Sequence, residues 1–547
     1  MKKSILSLIV LAAGTAAMHA AVVNGRISSG GKGVAGIAVS DGYDIVTTDT
    51  DGRYSLNTDK KLGYIFYTLP SGYEPSRGSA VCEPGIWAHL DTTSPDKAET
   101  HDFEIYPVDN KRFDLVVVTD IHLADRADDL EQFRNGFMPR IREYVSGSTV
   151  PVYTVALGDL SWDRYWYTNE FGPSEFASTL RNFDYPTLFF PVTGNHDNDP
   201  SVPHGPATDY LSSAPFRKEL APSYYSFNLG DAHVVVLDDI VYKNEYSPKK
   251  KYAKGVVGNR NYDGAITEEQ YDWLRRDLEL VADKSRPLII CTHIPLWRLT
   301  FDGKFTTYPC QGKDGKGSLK LAEMVKDFDN VRILTGHTHY NSHAIAPDYP
   351  NIHEDNVSSL CCLFWNTKAV GGRDICSDGS PAAFKVYSFD GKNFSSRMEA
   401  VDERDHRPFR IYDLNTVKST YAGDSAYVKY IEQHPARTDY SKIDDNMVMV
   451  NVFDYEPTGI VTISENGKPL EVTRITADDP LIVAAYAIPV LRSTGKAPGG
   501  DATRATNHLF TARTASADSP VTVTYTDAYG RTTSETMKRP GRYDTAM

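Results

Sequence analysis

Val331-Arg332-Ile333-Leu334-Thr335-Gly336-His337-Thr338-His339 is a short apolar run that ends in Gly-His-Thr-His. It predicts a buried strand whose end delivers two imidazoles into one small space. Residues two apart in an extended chain point to the same face, and a glycine at the strand end lets the backbone turn tightly. Taken alone, Gly-His-x-His also describes two polar loop histidines, so the upstream sequence has to decide. Four more apolar runs end in ligand-type residues. Phe113 to Thr119 runs into Asp120-Ile121-His122, Pro151 to Leu157 into Gly158-Asp159, Thr187 to Thr193 into Gly194-Asn195-His196-Asp197, and Pro287 to Thr292 into His293. Continuous apolar runs of this length, separated by helical patterns, predict central strands of a sheet covered on both faces. Carboxylate, amide and imidazole groups then recur at strand ends, where an open α/β sheet puts its site.

In this order, Asp-x-His, Gly-Asp, Gly-Asn-His-Asp, a His before Ile-Pro, and Gly-His-x-His resemble the calcineurin-like metallophosphoesterases. The resemblance covers residues 110 to 400, about the middle half of the chain. It implies one metal held by Asp120, His122, Asp159 and His339, and a second held by Asp159, Asn195, His293 and His337, with Asp159 bridging. It implies hydrolysis of phosphomono- or phosphodiesters by in-line attack of a hydroxide held between the metals, with His196 assisting the leaving group. Two departures stand out. Many relatives carry an acid three places after the bridging Asp to orient the catalytic His; here that place is Trp162 and the acid comes one later, at Asp163. Asp163 and Asp197 are both candidates for orienting His196. Trp162 also stands where purple acid phosphatases put a metal-binding Tyr, which argues against an iron-tyrosinate centre.

The ligand chemistry agrees with this. Oxygen and imidazole donors without thiolate suit Mn, Fe or Zn. Two cations ~3.5–4 Å apart polarise a phosphoryl oxygen and stabilise an in-line displacement, and a bridging carboxylate offsets their repulsion.

At 547 residues the chain is too long for one core. Its 24% charged and 41% hydrophobic composition is ordinary for globular protein. The net charge is −14, so a nucleic-acid backbone is not expected as a standing partner. The expected substrate is a small-molecule or polymer phosphoester. Met1-Lys2-Lys3 followed by an apolar run from Ile5 to Ala17 and small residues fits a secretory signal peptide over 1–20, too short for a membrane span. The mature protein is therefore expected to be exported to the periplasm or beyond, with no transmembrane segment. Six cysteines in this length are not a disulfide scaffold. Cys291, Cys361 and Cys362 lie in apolar, strand-like runs, while Cys82, Cys310 and Cys376 are free to pair.

Three domains follow the leader in this reading: a small β-sandwich over 21–109, the phosphoesterase domain over 110–405, an α/β sandwich, and a second β-sandwich over 406–547. The first resembles carboxypeptidase-regulatory-like or Ig-like modules, with short strands and Gly/Asp turns. Its Asp49-x-Asp51-Gly52 reads as a plain turn. In the middle domain, Asp128 to Val145 has helical spacing with a kink expected at Pro139, and Thr267-x-x-Gln270 opens another helix as a capping box. Loops at 198–223 and 242–263 flank the site and are expected to set specificity. His204, His343 and His353 are weak candidates for bordering it, and Arg164, Arg260 and Arg298 for meeting substrate charge. The last domain resembles those that accompany exported phosphoesterases. The rival reading is a glycan- or protein-binding surface protein on a spent phosphoesterase scaffold; a scaffold has no physical need for seven convergent ligands.

Overall fold

The computed structural model describes residues 21–75, 85–301, 304–402, 405–499 and 502–545. The leader expected over 1–20 and Cys82 lie outside the described residues.

All five apolar runs form strands, and they divide between two sheets. One sheet has the spatial order Leu188–Pro191, Val152–Ala156, Arg112–Val118, Ala383–Asp390, Asn393–Ala400, with its first three strands parallel. The other runs Tyr225–Leu229, Ala232–Val236, Leu288–Cys291, Val331–Thr335, Ile352–Asn356, Ser342–Ile345, with four parallel strands in the middle. Both sheets feed one buried cluster, in which Phe190 of the first stacks on Phe227 of the second at 4.0 Å. The strands are fully buried because each sheet has this core on one face and helices on the other.

Those helices form where the sequence caps them. Glu268–Glu279 starts at Thr267, whose hydroxyl accepts from Gln270 N, and it buries Tyr271, Leu274 and Leu278 against the core. The kink expected at Pro139 takes a specific form: Phe133–Phe137 is a π-helical turn leading into Met138–Gly147. Proline lacks an N–H and clashes with the carbonyl one turn back; widening that turn relieves both.

The N-terminal module is β-rich. Arg53–Thr58 alternates exposed and buried residues and pairs antiparallel with Ala21–Ser29. Asp49 Oδ1 accepts from Asp51 N and Arg53 N, both at 2.9 Å, so Asp49-x-Asp51-Gly52 is a turn. The module's core is continuous with the central one: Asn228 N donates to Leu69 O at 2.8 Å, and Phe66 packs edge-on against Trp273.

Past residue 405 two four-stranded sheets face each other. Period-two alternation gives one of them two buried faces. Val448, Val450 and Val452 point to the partner sheet, while Met449, with Tyr412 and Leu509, points to a layer of helices. That layer, Leu414–Ala422, Ser425–Gln433 and Ile488–Thr494, is absent from the plain sandwich expected from sequence. The domain is held to the central one by buried charge. His343 bonds Asp355 and Asp454 at 2.7 Å each, and Lys385 reaches Asp454 at 3.0 Å.

Cys291 is a strand residue, but Cys361 and Cys362 lie in a buried turn, not in the strand-like run expected. Among the described residues the five cysteines are unpaired. No described helix is long and apolar enough to cross a membrane.

Candidate metal centre

The site lies at the C-terminal ends of strands from both sheets. Five of the seven expected ligands have left-handed backbone: Asp120 (φ 50°), His122 (φ 49°), Asp159 (φ 52°), His337 (φ 70°) and His339 (φ 58°). That conformation costs a non-glycine residue about 1–2 kcal/mol. Its concentration here means the surrounding fold imposes these turns to aim the side chains inward. Glycines make the close approach possible. A Cβ on Gly336 would stand 1.8 Å from Thr119 Oγ1, and one on Gly194 would stand 2.4 Å from Asp159 Oδ1.

Each carboxylate has one oxygen tied down and one facing the cluster. Asp120 Oδ2 accepts from Thr119 Oγ1 and His337 N, while Oδ1 is buried without a hydrogen-bond donor. Asp159 Oδ1 accepts from His196 N at 2.7 Å, and Oδ2 stands 3.4 Å from His122 Nε2 and 3.3 Å from His293 Nε2. The imidazoles are held the same way. His339 Nδ1 donates to Cys362 O and His293 Nδ1 to Leu157 O, both at 2.7 Å. With the N–H on Nδ1, each ring turns an Nε2 lone pair to the cluster. His339 Nε2 then lies 3.2 Å from His122 Nε2 and from Asp120 Oδ1. His293 Nε2 lies 3.2 Å from Asn195 Oδ1 and from His337 Nδ1. Among the described residues His122 Nδ1 has no hydrogen-bond partner; its ring packs against Trp162 and Phe364.

Acceptors facing acceptors at these distances repel unless a cation lies between them. With protons as the only cations, burial opposes charge on His293, yet Asp159 outweighs it and drives the pKa up to about 10. His339 is likewise held well above the ordinary imidazole range, with burial overcome by the adjacent Cys361 and Asp120. Burial pushes His122 down to about 4, and burial with the neighbouring His293 pushes His337 down to about 3. Burial also opposes ionisation of Asp120 and Asp159, but the histidines, His339 and His293 foremost, hold both well below the usual carboxylate range. The donors therefore fit metal ions: buried, rich in oxygen and imidazole, and oriented by backbone carbonyls. Ligand atoms of Asp120, His122 and Asp159 lie within 4.8 Å of one another, as do those of Asp159, His293 and His337, and those of His122, His339 and the buried Cys361.

The chain matches the model for calcineurin-like phosphoesterase over residues 113–341, that for its N-terminal region over 21–108, and that for its C-terminal region over 354–532. The chain belongs to the calcineurin-like phosphoesterases. This is a family of metal-dependent hydrolases acting on phosphoester bonds. No curated protein matches the chain. Among solved structures it is similar to the 5'-nucleotidase of Candida albicans (11% identity, 54% of this chain and 52% of that one, TM-score 0.29). It is also similar to the 5'-nucleotidase precursor of Thermus thermophilus (12%, 53% and 54%, TM-score 0.26) and to Vps29 of Chaetomium thermophilum (14%, 52% and 97%, TM-score 0.21). The chain thus spans about half the length of the two nucleotidases.

In this calcineurin-like phosphoesterase the two acids beside His196 have separate roles. Asp163 Oδ1 accepts from His196 Nδ1 at 2.7 Å and from Arg260 Nη1 at 2.6 Å. Asp197 does not bond the His196 ring. It accepts from Leu160 N, Ser161 N and Gly194 N, bracing the two ligand-bearing turns, and burial with the nearby Asp159 charge pushes its pKa up to about 7. Asp197, a candidate for orienting His196, instead uses its carboxylate to brace backbone, and Asp163 meets the ring. Burial opposes charge on His196, but Asp159 and Asp163 outweigh it, so its pKa is raised.

His204, His343 and His353 do not line the catalytic cavity; they bond Lys243 O, the Asp355/Asp454 pair, and Pro350 O. Arg164 lies over the Tyr165 ring and is not a lining residue. Arg260 and Arg298 do belong to the site, one through Asp163 and one in the cavity wall. Sequence reading missed Tyr262, Tyr340, Phe364 and Arg504, which share that wall. Tyr262 lay within a loop already marked as flanking the site; Arg504 comes from the last domain and carried no local signal.

Proposed function

We propose that this chain is an exported phosphoesterase that hydrolyses phosphomono- or phosphodiesters at a binuclear metal centre. Asp120, His122, Asp159 and His339 would hold one ion, Asp159, Asn195, His293 and His337 the other, with Mn, Fe or Zn as occupants. When bound, such ions polarise the phosphoryl oxygen and lower the pKa of water. His196 carries its proton on the side away from Asp163 and delivers it to the leaving alkoxide. Asp163 is a positioning residue: it fixes the ring and stabilises the charged form, while Arg260 fixes Asp163.

One observation carries the reading. Oxygen and nitrogen acceptors converge at about 3.2–3.4 Å, and Asp159, His293 and His339 are oriented toward one another by hydrogen bonds to backbone groups. A spent scaffold has no reason to retain that arrangement.

The rest of the proposal follows from sequence: a leader over 1–20 removed on export to the periplasm or beyond, an Ig-like or carboxypeptidase-regulatory-like module over 21–109, the catalytic domain over 110–405, and a C-terminal β domain over 406–547. The test is a paired assay of metal-loaded protein on p-nitrophenyl phosphate and bis-p-nitrophenyl phosphate, with Asp159→Asn as blank. Metal-dependent turnover that the blank lacks is expected, and its absence on both esters and a wider phosphoester panel would sink the proposal.

A further inference from the structure

The catalytic cavity, about 340 Å³, does not end at the metal ligands. A second cavity of about 310 Å³ adjoins it, and the two share Arg298, Tyr340 and Arg504 in their walls. Both arginines are exposed, and among the described residues neither is in an ion pair, in a chain whose net charge is −14. Neither is loosely placed. The Arg504 guanidinium lies over the Tyr340 ring at 4.5 Å; Arg504 N donates to Ser377 O at 2.9 Å, and Ser377 Oγ donates to the carbonyl of His339 at 3.4 Å. Arg298 sits on the hairpin Trp297–Phe301 and Phe305–Pro309, which Arg474 of the last domain clamps by lying over Phe305 at 4.1 Å. The catalytic and C-terminal domains therefore each hold one guanidinium at the junction of the cavities.

Beyond that junction the outer wall is made largely of hydroxyl and amide groups, among them Thr300, Tyr308, Asn341, Thr476, Thr506 and Asn507. Its one carboxylate, Asp378, is engaged by Asn341 N at 2.8 Å and His508 Nε2 at 3.1 Å. A guanidinium fork is suited to phosphate oxygens, and a wall of hydroxyls and amides to a polyhydroxylated group.

Building on the phosphoesterase reading, we propose that Arg298 and Arg504 form a second anion subsite, and that the substrate is a phosphorylated sugar carrying a further phosphate beyond the scissile one. The reaction remains hydrolysis. Water oxygen bonds to the scissile phosphorus, the bond from phosphorus to the sugar oxygen breaks, and that oxygen takes a proton, leaving inorganic phosphate and a sugar that keeps its other phosphate.

The experiment compares kcat/KM of metal-loaded protein on glucose 1,6-bisphosphate and glucose 6-phosphate, with p-nitrophenyl phosphate as reference. Charge-assisted hydrogen bonds to one phosphate favour the bisphosphate by about 10- to 100-fold. Arg504→Ala and Arg298→Ala are each expected to lower that ratio toward one, and Arg504→Lys to keep part of it. Added salt should erode the wild-type ratio but not the ratio in the double variant. A wild-type ratio near one, or a ratio unmoved in both variants, overturns the subsite. Turnover of p-nitrophenyl phosphate with neither sugar phosphate overturns the substrate class alone. No turnover of any of the three overturns this proposal; turnover of bis-p-nitrophenyl phosphate in the same preparation would leave the hydrolase reading standing, and its absence there too would remove both.

Discussion

Replacing Asp163 by Asn tests the proton donor without touching a metal ligand. Asp163 is buried, and its Oδ1 serves both His196 and Arg260. An amide of the same shape keeps one acceptor oxygen but loses the charge. A hydrogen bond to a charged group contributes about 1.5–3 kcal/mol against about 0.5–1.5 for a neutral one, so roughly 1–1.5 kcal/mol of support for the imidazolium is lost. That is about one pKa unit downward. Since the His196 pKa stands above the ordinary imidazole value, the acid form persists below it and is lost as pH rises through it. In the variant that loss comes about one unit earlier. A full general acid contributes about 10²- to 10⁴-fold. At pH values above the wild-type pKa the variant should therefore lose up to about 10-fold on an alkyl phosphate and far less on a nitrophenyl phosphate, whose leaving group needs little protonation. The assay is kcat/KM against pH on both esters, with elemental analysis showing metal content unchanged and His196→Ala as the limiting case. Equal losses on both esters, or an alkaline limb that does not move, would refute the assignment.

Other consequences are as direct. Asp159→Asn should remove metal from both positions, because Oδ2 faces His122 on one side and His293 on the other; full metal content by elemental analysis would contradict the bridge. Metal binding should weaken about tenfold per pH unit for each proton displaced, since His293, with its pKa raised to about 10 by Asp159, must give up a proton to bind; chelator-driven release should be easier at pH 6 than at pH 8. His343→Ala should destabilise the chain by about 1.5–3 kcal/mol in denaturant unfolding, because Asp355 and Asp454 each lose a charged hydrogen-bond partner while Lys385 still pairs with both. The two acids hold the His343 pKa up to about 9, against its burial and the neighbouring Lys385 charge. Its contribution is present in full below about pH 6.5 and fades as pH rises through about 9, so the difference between wild type and variant should narrow over that range.

The sequence by itself determined the five strands and the ligand-type residues at their ends. Apolar runs bounded by Gly, Asp and His are local signals, and period-two alternation with glycine-permitted turns already confines where those side chains can go. It named Asp163 and Asp197 as neighbours of His196 but left the choice between them open. Their separate roles depend on which way each side chain points, and only the packed turns decide that: Asp163 meets the imidazole while Asp197 meets three backbone N–H groups. The π-helical turn before Pro139 and the helical layer on the last domain were likewise unreadable, because each answers to what packs against it. Arg504 shows the limit most clearly. Nothing in its local sequence marks it, and it reaches the catalytic cavity because buried charge around Asp454 and His343 docks its domain there. Residues in a local pattern are legible because the chain fixes their spacing; residues brought together from separate domains are not, because only long-range packing fixes theirs.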